Sequence, residues 1–164
     1  INQKVGPEHR VWDLPESEQH QSLWGLRAGV AAANQGNDKL NRFLPLLLRA
    51  RHEDRVDLSD LDEHKRLADE AGLDVARFES DIRDPASLQA VAASHTEAVE
   101  KYGVFGTPTF VFPNGASAFL KMVRPRSPED ASRAFETVVA LMESEVFIGE
   151  VKRPQPPWPK GIFD

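Results

Sequence analysis

One β-hairpin pattern in an otherwise helical sequence is the feature that most constrains the fold. The run from Thr107 to Phe112 is β-branched and aromatic, and Ala118 to Val123 is a second apolar run. Asn114-Gly115 between them is a strong signal for a hairpin turn. Two strands alone do not form a stable sheet. We therefore expect further strands, either from an N-terminal segment absent from this sequence or from a second chain.

Helical patterns fill most of the chain around this hairpin. The first predicted helix runs from Glu16 to Gln35 and places Leu23, Leu26, Val30 and Ala33 on one stripe. The other predicted helices begin at the capping or first-turn residues Asp38, Ser59, Asp74, Asp84-Pro85 and Ser127-Pro128. The second contains Pro45, and the last is predicted to face inward through Ala131, Phe135, Val138, Val139 and Met142.

Composition excludes several functional classes. The formal net charge is -6, which argues against nucleic acid and anionic membrane surfaces as partners, since both attract an excess of Lys and Arg. No run approaches the roughly 18 apolar residues of a membrane span. The sequence contains no cysteine, so disulfides, Cys metal sites and thiol nucleophiles are excluded within these 164 residues.

The histidines do not have the spacing of a metal site. No two lie three or four residues apart on one helix, so we predict no metal site and expect all of them on solvated helix faces. They are His9, His20, His52, His64 and His95.

Thr107-Pro108 introduces the first strand of the hairpin. Proline lacks an N–H, so it is tolerated at the first residue of a strand or at a sheet edge. A cis X-Pro bond is rare, about 5% in folded proteins. Taken alone, the dipeptide therefore indicates only where the strand starts.

The surrounding sequence changes that interpretation. The helices around DLSD and LADEAGLD, the helix leading into GVFGTPTF and the hairpin PNGASAFLKM resemble the DsbA-like thioredoxin superfamily over roughly residues 20–143. The resemblance is closest to the branch that contains 2-hydroxychromene-2-carboxylate isomerases, FrnE-like proteins and mycothiol-dependent nitroreductase-like oxidoreductases. It implies an α/β, thioredoxin-like fold with an all-helical insertion, lacking its N-terminal strand and helix.

The resemblance also implies a division of the chain. Residues 1–14 are the expected remnant of the thioredoxin-like domain, and residues 15–101 are the helical insertion. Residues 102–145 are the thioredoxin-like hairpin and C-terminal helix. Residues 146–164 form a Pro-rich tail, predicted to be extended and pinned by Trp158 and Phe163.

The function implied by the resemblance is thiol–disulfide oxidoreduction in the cytoplasm. Its reactive thiol is expected in a segment absent here, so no catalytic residue is assigned in this chain. The resemblance implies that Thr107-Pro108 is a cis peptide bond and that the residue before the proline offers its backbone N–H and C=O to an extended substrate. The substrate-binding candidates are Gly106, Thr107 and Pro108, with Trp24 on the first helix at the site entrance. The expected substrates are protein or small-molecule thiols and disulfides. The expected assembly is a homodimer.

No bound cofactor is implied by the resemblance, and glutathione or mycothiol is expected as the co-substrate. Two alternatives remain open: a glutathione- or mycothiol-dependent isomerase or reductase, and a redox-inactive thioredoxin-like binding module.

Overall fold

The computed structural model describes residues 10–122, 125–149 and 151, and divides the chain into two compact units. We call Ile1–Thr96 the helical unit and Glu97–Asp164 the hairpin unit. The first nine residues, Val123 of the second predicted strand and most of the Pro-rich tail, including Trp158 and Phe163, lie outside the described residues. None of the described helices combines the length and apolar character that a membrane span requires.

The helical unit is built from helices joined by tight turns. Two 3-10 turns, Val11–Asp13 and Glu16–Glu18, come first. The α-helices that follow are α1 Gln21–Ala33, α2 Asn37–His52, α3 Leu61–Glu70, α4 Val75–Arg83 and α5 Pro85–Tyr102, the last of which extends past Thr96.

The core of the helical unit lies between α1, α2, α3 and α4. Phe43 of α2 and Phe78 of α4 are fully buried, with ring centroids 5.4 Å apart. The other buried members are Ala28, Ala31, Ala32, Leu47, Ala50, Leu58, Leu67, Ala68, Ala71, Leu73 and Ile82. Because α1 presents mainly alanines to this core, its neighbours can pack against a surface of short side chains.

The predicted buried face of α1 was wrong. Leu23 is buried, but Leu26 of the same predicted stripe is 50% exposed and Ala33 is exposed. The helix also begins at Gln21 instead of Glu16, because the His20 ring accepts a hydrogen bond from the Ser22 N–H at 3.1 Å and caps it. The buried face consists of small residues, which a search for large apolar side chains overlooks.

Some of the predicted helix starts are confirmed. Asp74 caps α4, its Oδ1 accepting from the Arg77 N–H at 3.0 Å. Pro85 is the first residue of α5, where its missing N–H has no intrahelical partner to lose. Pro45 lies inside α2, as expected.

Two other predicted caps were wrong by one or two residues. The cap of α3 is Asp60, whose Oδ1 accepts from the Asp62 N–H at 2.9 Å, while Ser59 donates to Asp57. Helix α2 begins after Gly36, which has a φ of 109°, so Asp38 lies in the first turn. A glycine reaches this left-handed conformation without steric cost.

The described strands of the hairpin unit form a two-stranded antiparallel sheet. Strand β1 covers Thr109–Val111 and strand β2 covers Ser117–Phe119, with Phe110 opposite Ala118. Both strands are shorter than predicted, although hydrogen bonds from Phe112 N to Ala116 O and from Leu120 N to Pro108 O extend the pairing. Gly115 has a φ of 85°, which confirms the predicted turn.

The last helix, α6 Pro128–Ser144, lies beside the hairpin. Ser127 caps it, as predicted, by accepting from the Asp130 N–H at 3.1 Å. The Phe135 ring lies edge-on to Phe110 with centroids 5.5 Å apart, and Asn114 donates to the Glu143 carbonyl at 2.7 Å. The predicted inward face is oriented as expected: Phe135 contacts the hairpin and Ala131, Val138, Val139 and Met142 are half-buried. The burial is incomplete, since none of the described α6 residues is fully buried and Phe135 remains exposed.

Candidate functional site

A short loop from Val104 to Pro108 joins α5 to β1. Gly103 ends the helix with a φ of 63°, and the Val104 N–H bonds back to the Ala98 carbonyl at 3.0 Å. Glycine is favoured at this position because its left-handed conformation ends the helix and turns the chain away from the helix axis.

Hydrogen bonds fix the predicted segment Gly106, Thr107 and Pro108 on both sides of Thr107. Thr109 Oγ1 donates to the Gly106 carbonyl at 2.7 Å. The Pro108 carbonyl accepts from the Leu120 N–H at 3.1 Å, which ties the loop to the end of β2. The Thr107–Pro108 peptide bond is cis.

Thr107 presents free backbone groups to solvent. The residue is exposed, and within the described part of the chain neither its N–H nor its C=O has a hydrogen-bond partner. An extended ligand main chain offers the complementary acceptor and donor. The loop can therefore bind a ligand in the manner of strand addition.

The outer edge of β1 is a separate feature. In an antiparallel pair, alternate residues direct their N–H and C=O away from the partner strand. Pro108 and Phe112 form hydrogen bonds with β2, and Phe110 lies two residues from each, so it also faces β2. The residues between them, Thr109 and Val111, therefore direct their N–H and C=O groups outward. Among the described strands, β2 alone pairs with β1. This edge is a template for a further strand, as the hairpin pattern predicts.

Gly106 has a structural role that the sequence did not reveal. A Cβ built at this position lies 2.8 Å from Cε2 of Phe119, closer than atoms of a real side chain approach. The structure shows that the loop closely approaches the Phe119 ring.

Aromatic side chains beside this loop form an exposed apolar surface. The Phe105 and Phe119 ring centroids lie 4.9 Å apart, and the two side chains are 69% and 39% exposed. Val111, on the same face of the sheet as Phe119, is also exposed. We call Phe105, Val111 and Phe119 the aromatic face.

The loop carries no charge of its own. From Gly103 to Phe112 the sequence contains no Asp, Glu, Lys, Arg or His. On the helix before it, hydrogen bonds with Tyr102 and Glu97 raise the pKa of Lys101. The loop therefore supplies hydrogen bonds and apolar contacts, but no ionisable side chain for general acid–base chemistry.

Trp24, the fourth predicted site residue, belongs to the helical unit. It is half-buried and packs against the core there. The guanidinium carbon of Arg27 lies 4.4 Å from the centroid of its ring. A contact between Trp24 and a substrate stays a prediction.

The sequence missed two buried polar residues. His64 was predicted on a solvated helix face, but it is fully buried, with Nε2 2.8 Å from the Leu58 carbonyl. Arg27 is only 4% exposed. In the described ranges no group of three or more His, Cys, Asp or Glu is arranged to hold a metal ion. Arg27 and His64 lie beside alanines or leucines on the buried faces of α1 and α3. This position was only a weak indication of their burial, because charged side chains usually avoid such faces.

A comparison with family models completes the assignment. The model described as the DSBA-like thioredoxin domain matches residues 11–133, about three quarters of the chain. The chain belongs to the DSBA-like thioredoxin domain family. A comparison with curated proteins found no significant match.

The predicted fold class is confirmed for this DSBA-like thioredoxin domain. Its described residues combine a mainly helical body with a small antiparallel sheet and a C-terminal helix. The family match spans both the helical unit and the loop that contains Thr107-Pro108. It does not assign an activity, because one fold supports many functions.

Proposed function

We propose that this DSBA-like thioredoxin domain holds an extended substrate during thiol–disulfide exchange. The observation that carries the proposal is the exposed Thr107, whose backbone N–H and C=O lack partners in the described part of the chain. The hydrogen bonds of Gly106 and Pro108 fix the loop on either side, so little conformational entropy is lost when a ligand binds.

The chemistry requires a thiolate from another source. In thiol–disulfide exchange a thiolate attacks one sulfur of a disulfide, the S–S bond breaks, and the other sulfur leaves as a thiolate. The sequence contains no cysteine, so in this proposal the thiolate comes from outside these 164 residues. Further polypeptide, glutathione or mycothiol supplies it. This chain positions the substrate through Thr107 and the aromatic face.

The finer placement within the family is also a proposal. The sequences GVFGTPTF and PNGASAFLKM support the branch with 2-hydroxychromene-2-carboxylate isomerases and mycothiol-dependent oxidoreductases. In that case the same loop binds a small thiol, and the reaction is an isomerisation or a reduction that depends on it.

A second candidate function is a redox-inactive binding module. The absence of cysteine favours it, and the exposed aromatic face supplies an apolar contact surface. This function uses the same loop and needs no thiol.

The test compares peptide binding with catalysis. A ten-residue peptide with one cysteine held as a mixed disulfide with glutathione is titrated into isotopically labelled protein. Backbone amide spectra should show saturable shifts at Thr107 and its neighbours. Thr107→Ala keeps the backbone groups and should bind almost normally. Thr107→Pro removes the N–H and should bind about three- to tenfold more weakly, the loss expected for one hydrogen bond.

Reduction of the same peptide by glutathione is then timed with and without the protein. Faster reduction that depends on the Thr107 N–H supports the exchange function. Binding without acceleration supports the binding module instead. Absence of shifts at Thr107 up to millimolar peptide would overturn both functions.

A further inference from the structure

Arg27 is an unusual member of the buried face of α1. It is 4% exposed and lies next to the fully buried Ala28. Lys, Arg, Asp and Glu are almost never buried to this degree unless they are paired with an opposite charge. The surroundings of Arg27 therefore need an explanation.

Two contacts fix the plane of the guanidinium group. Its Nε donates to Ser87 Oγ at 3.0 Å, and Ser87 Oγ in turn donates to the Asp84 carbonyl at 2.8 Å. The guanidinium carbon lies 4.4 Å from the centroid of the Trp24 ring, within the range of a cation–π contact. The group is thus held by a hydrogen bond on one edge and by an aromatic ring.

The remaining donors of Arg27 are unused. Among the described residues no carboxylate lies within ion-pair distance of it, and neither Nη nitrogen has a hydrogen-bond partner. These nitrogens are also not sealed from solvent, since the buried unpartnered side-chain atoms in the described ranges are Gln19 Oε1 and His64 Nδ1. Of the five N–H donors of an arginine, the four on the Nη nitrogens therefore have no partner among the described residues and retain some contact with solvent.

The charge of Arg27 is only weakly compensated. Burial lowers the pKa of Arg27, and the negative charge of Glu16 partly opposes this change. Glu16 is exposed and lies in the 3-10 turn before α1. Removing a charged group from water without a close partner of opposite charge is unfavourable, so an anion at the free edge of the guanidinium would stabilise this arrangement.

We propose that Arg27 is a binding site for a carboxylate group of a small molecule, oriented by Trp24 and Ser87. The planar edge formed by Nη1 and Nη2 matches the two oxygens of a carboxylate. A phosphate dianion fits less well, because it calls for more than one cation and the chain has a net charge of -6. This site lies within the helical unit and is independent of the proposed exchange function.

The test follows the Arg27 Nε–H resonance in the labelled protein during titration with succinate. Succinamide is the matched control, because it has a similar shape and no charge. A saturable shift with succinate, with a Kd on the order of 1–10 mM as for a weak small ligand, and no such shift with succinamide is the expected result. No saturation with succinate up to about 50 mM, five times the weakest expected Kd, or an equal response to succinamide, would overturn the proposal.

Two variants sharpen the result. Arg27→Lys keeps the charge but removes the planar pair of donors, and should weaken succinate binding at least tenfold. Binding to this variant is measured from the Trp24 indole N–H resonance. Glu16→Gln removes the carboxylate that, among the described residues, acts on Arg27, and should tighten binding about two- to fivefold, as for a partly screened surface charge. Unchanged affinity in Glu16→Gln would contradict a carboxylate bound at Arg27, even if Arg27→Lys failed to fold.

Discussion

A buried histidine makes the stability of the helical unit depend on pH. Burial lowers the pKa of His64 below 6.5, and its hydrogen bond to Leu58 with the charges of Asp60 and Glu63 only partly opposes this. The unfolded chain, with a histidine pKa of about 6.5, then binds more protons than the folded one. The free energy of unfolding should therefore be highest above pH 6.5 and fall as the pH drops below it. Urea unfolding between pH 7.5 and 5.5 measures this.

His64→Gln provides the comparison, since its side chain can still donate to Leu58 O but does not titrate. Its stability should fall less over the same pH range. His95→Gln changes an exposed histidine and should behave like the parent protein. Parallel pH profiles for His64→Gln and the parent would show that His64 is not responsible.

Phe78 should be among the residues most sensitive to truncation. It is fully buried and its ring packs on Phe43, so Phe78→Ala removes its contacts and leaves a cavity. We expect a loss of about 3–5 kcal/mol in the free energy of unfolding. Leu48→Ala changes a side chain that is 54% exposed on α2 and should cost no more than about 0.5 kcal/mol. Similar losses for the two variants in urea unfolding would contradict the described core.

Among the elements, helix α3 offers a direct comparison between the sequence-based cap and the observed one. Asp60→Ala removes the acceptor of the Asp62 N–H and should destabilise the protein by about 1 kcal/mol. Ser59→Ala removes only the exposed contact with Asp57 and should change stability by no more than about 0.5 kcal/mol. Thermal or urea unfolding measures both, and a larger loss for Ser59→Ala would restore the cap predicted from the sequence.

The limits of prediction at this scale follow from what each signal depends on. Asp74, Pro85 and Ser127 were placed correctly because capping is decided by residues three or four positions apart. Near Ser59 and Asp60 two good caps are adjacent, and local chemistry does not choose between them. The buried face of α1 was misassigned because its core contacts are alanines. The orientation of this helix depends on how the neighbouring helices pack against it, and the local sequence pattern does not contain that information.

At the scale of the whole molecule, buried apolar side chains are distributed unevenly. In the described part of the hairpin unit the buried hydrophobic residues are Phe112 and Ala118, and the remaining core residues belong to the helical unit. Amide hydrogen exchange follows such differences in local stability. We expect the amides of Leu47 and Ile82 to exchange at least about tenfold more slowly than those of Phe110 and Ala118. Equal protection would mean that contacts beyond those described stabilise the hairpin.

The sequence predicted the order of helices, hairpin and final helix, and it brought Gly106, Thr107 and Pro108 to one loop. It did not predict the burial of Arg27 or His64, because polar residues become buried only through tertiary contacts that single-helix periodicity does not contain. It also did not predict that Phe119 packs on Gly106, since these residues are separated by the whole hairpin.

The absence of ionisable side chains from Gly103 to Phe112 determines how salt and pH should affect the proposed exchange reaction. A ligand bound through backbone groups and an apolar surface is insensitive to ionic strength, because screening acts on charges. Its affinity should therefore be similar at low and at physiological ionic strength. A change of reaction rate with pH, under conditions where the protein stays folded, would then reflect ionisation of the attacking thiol and not occupancy of the loop.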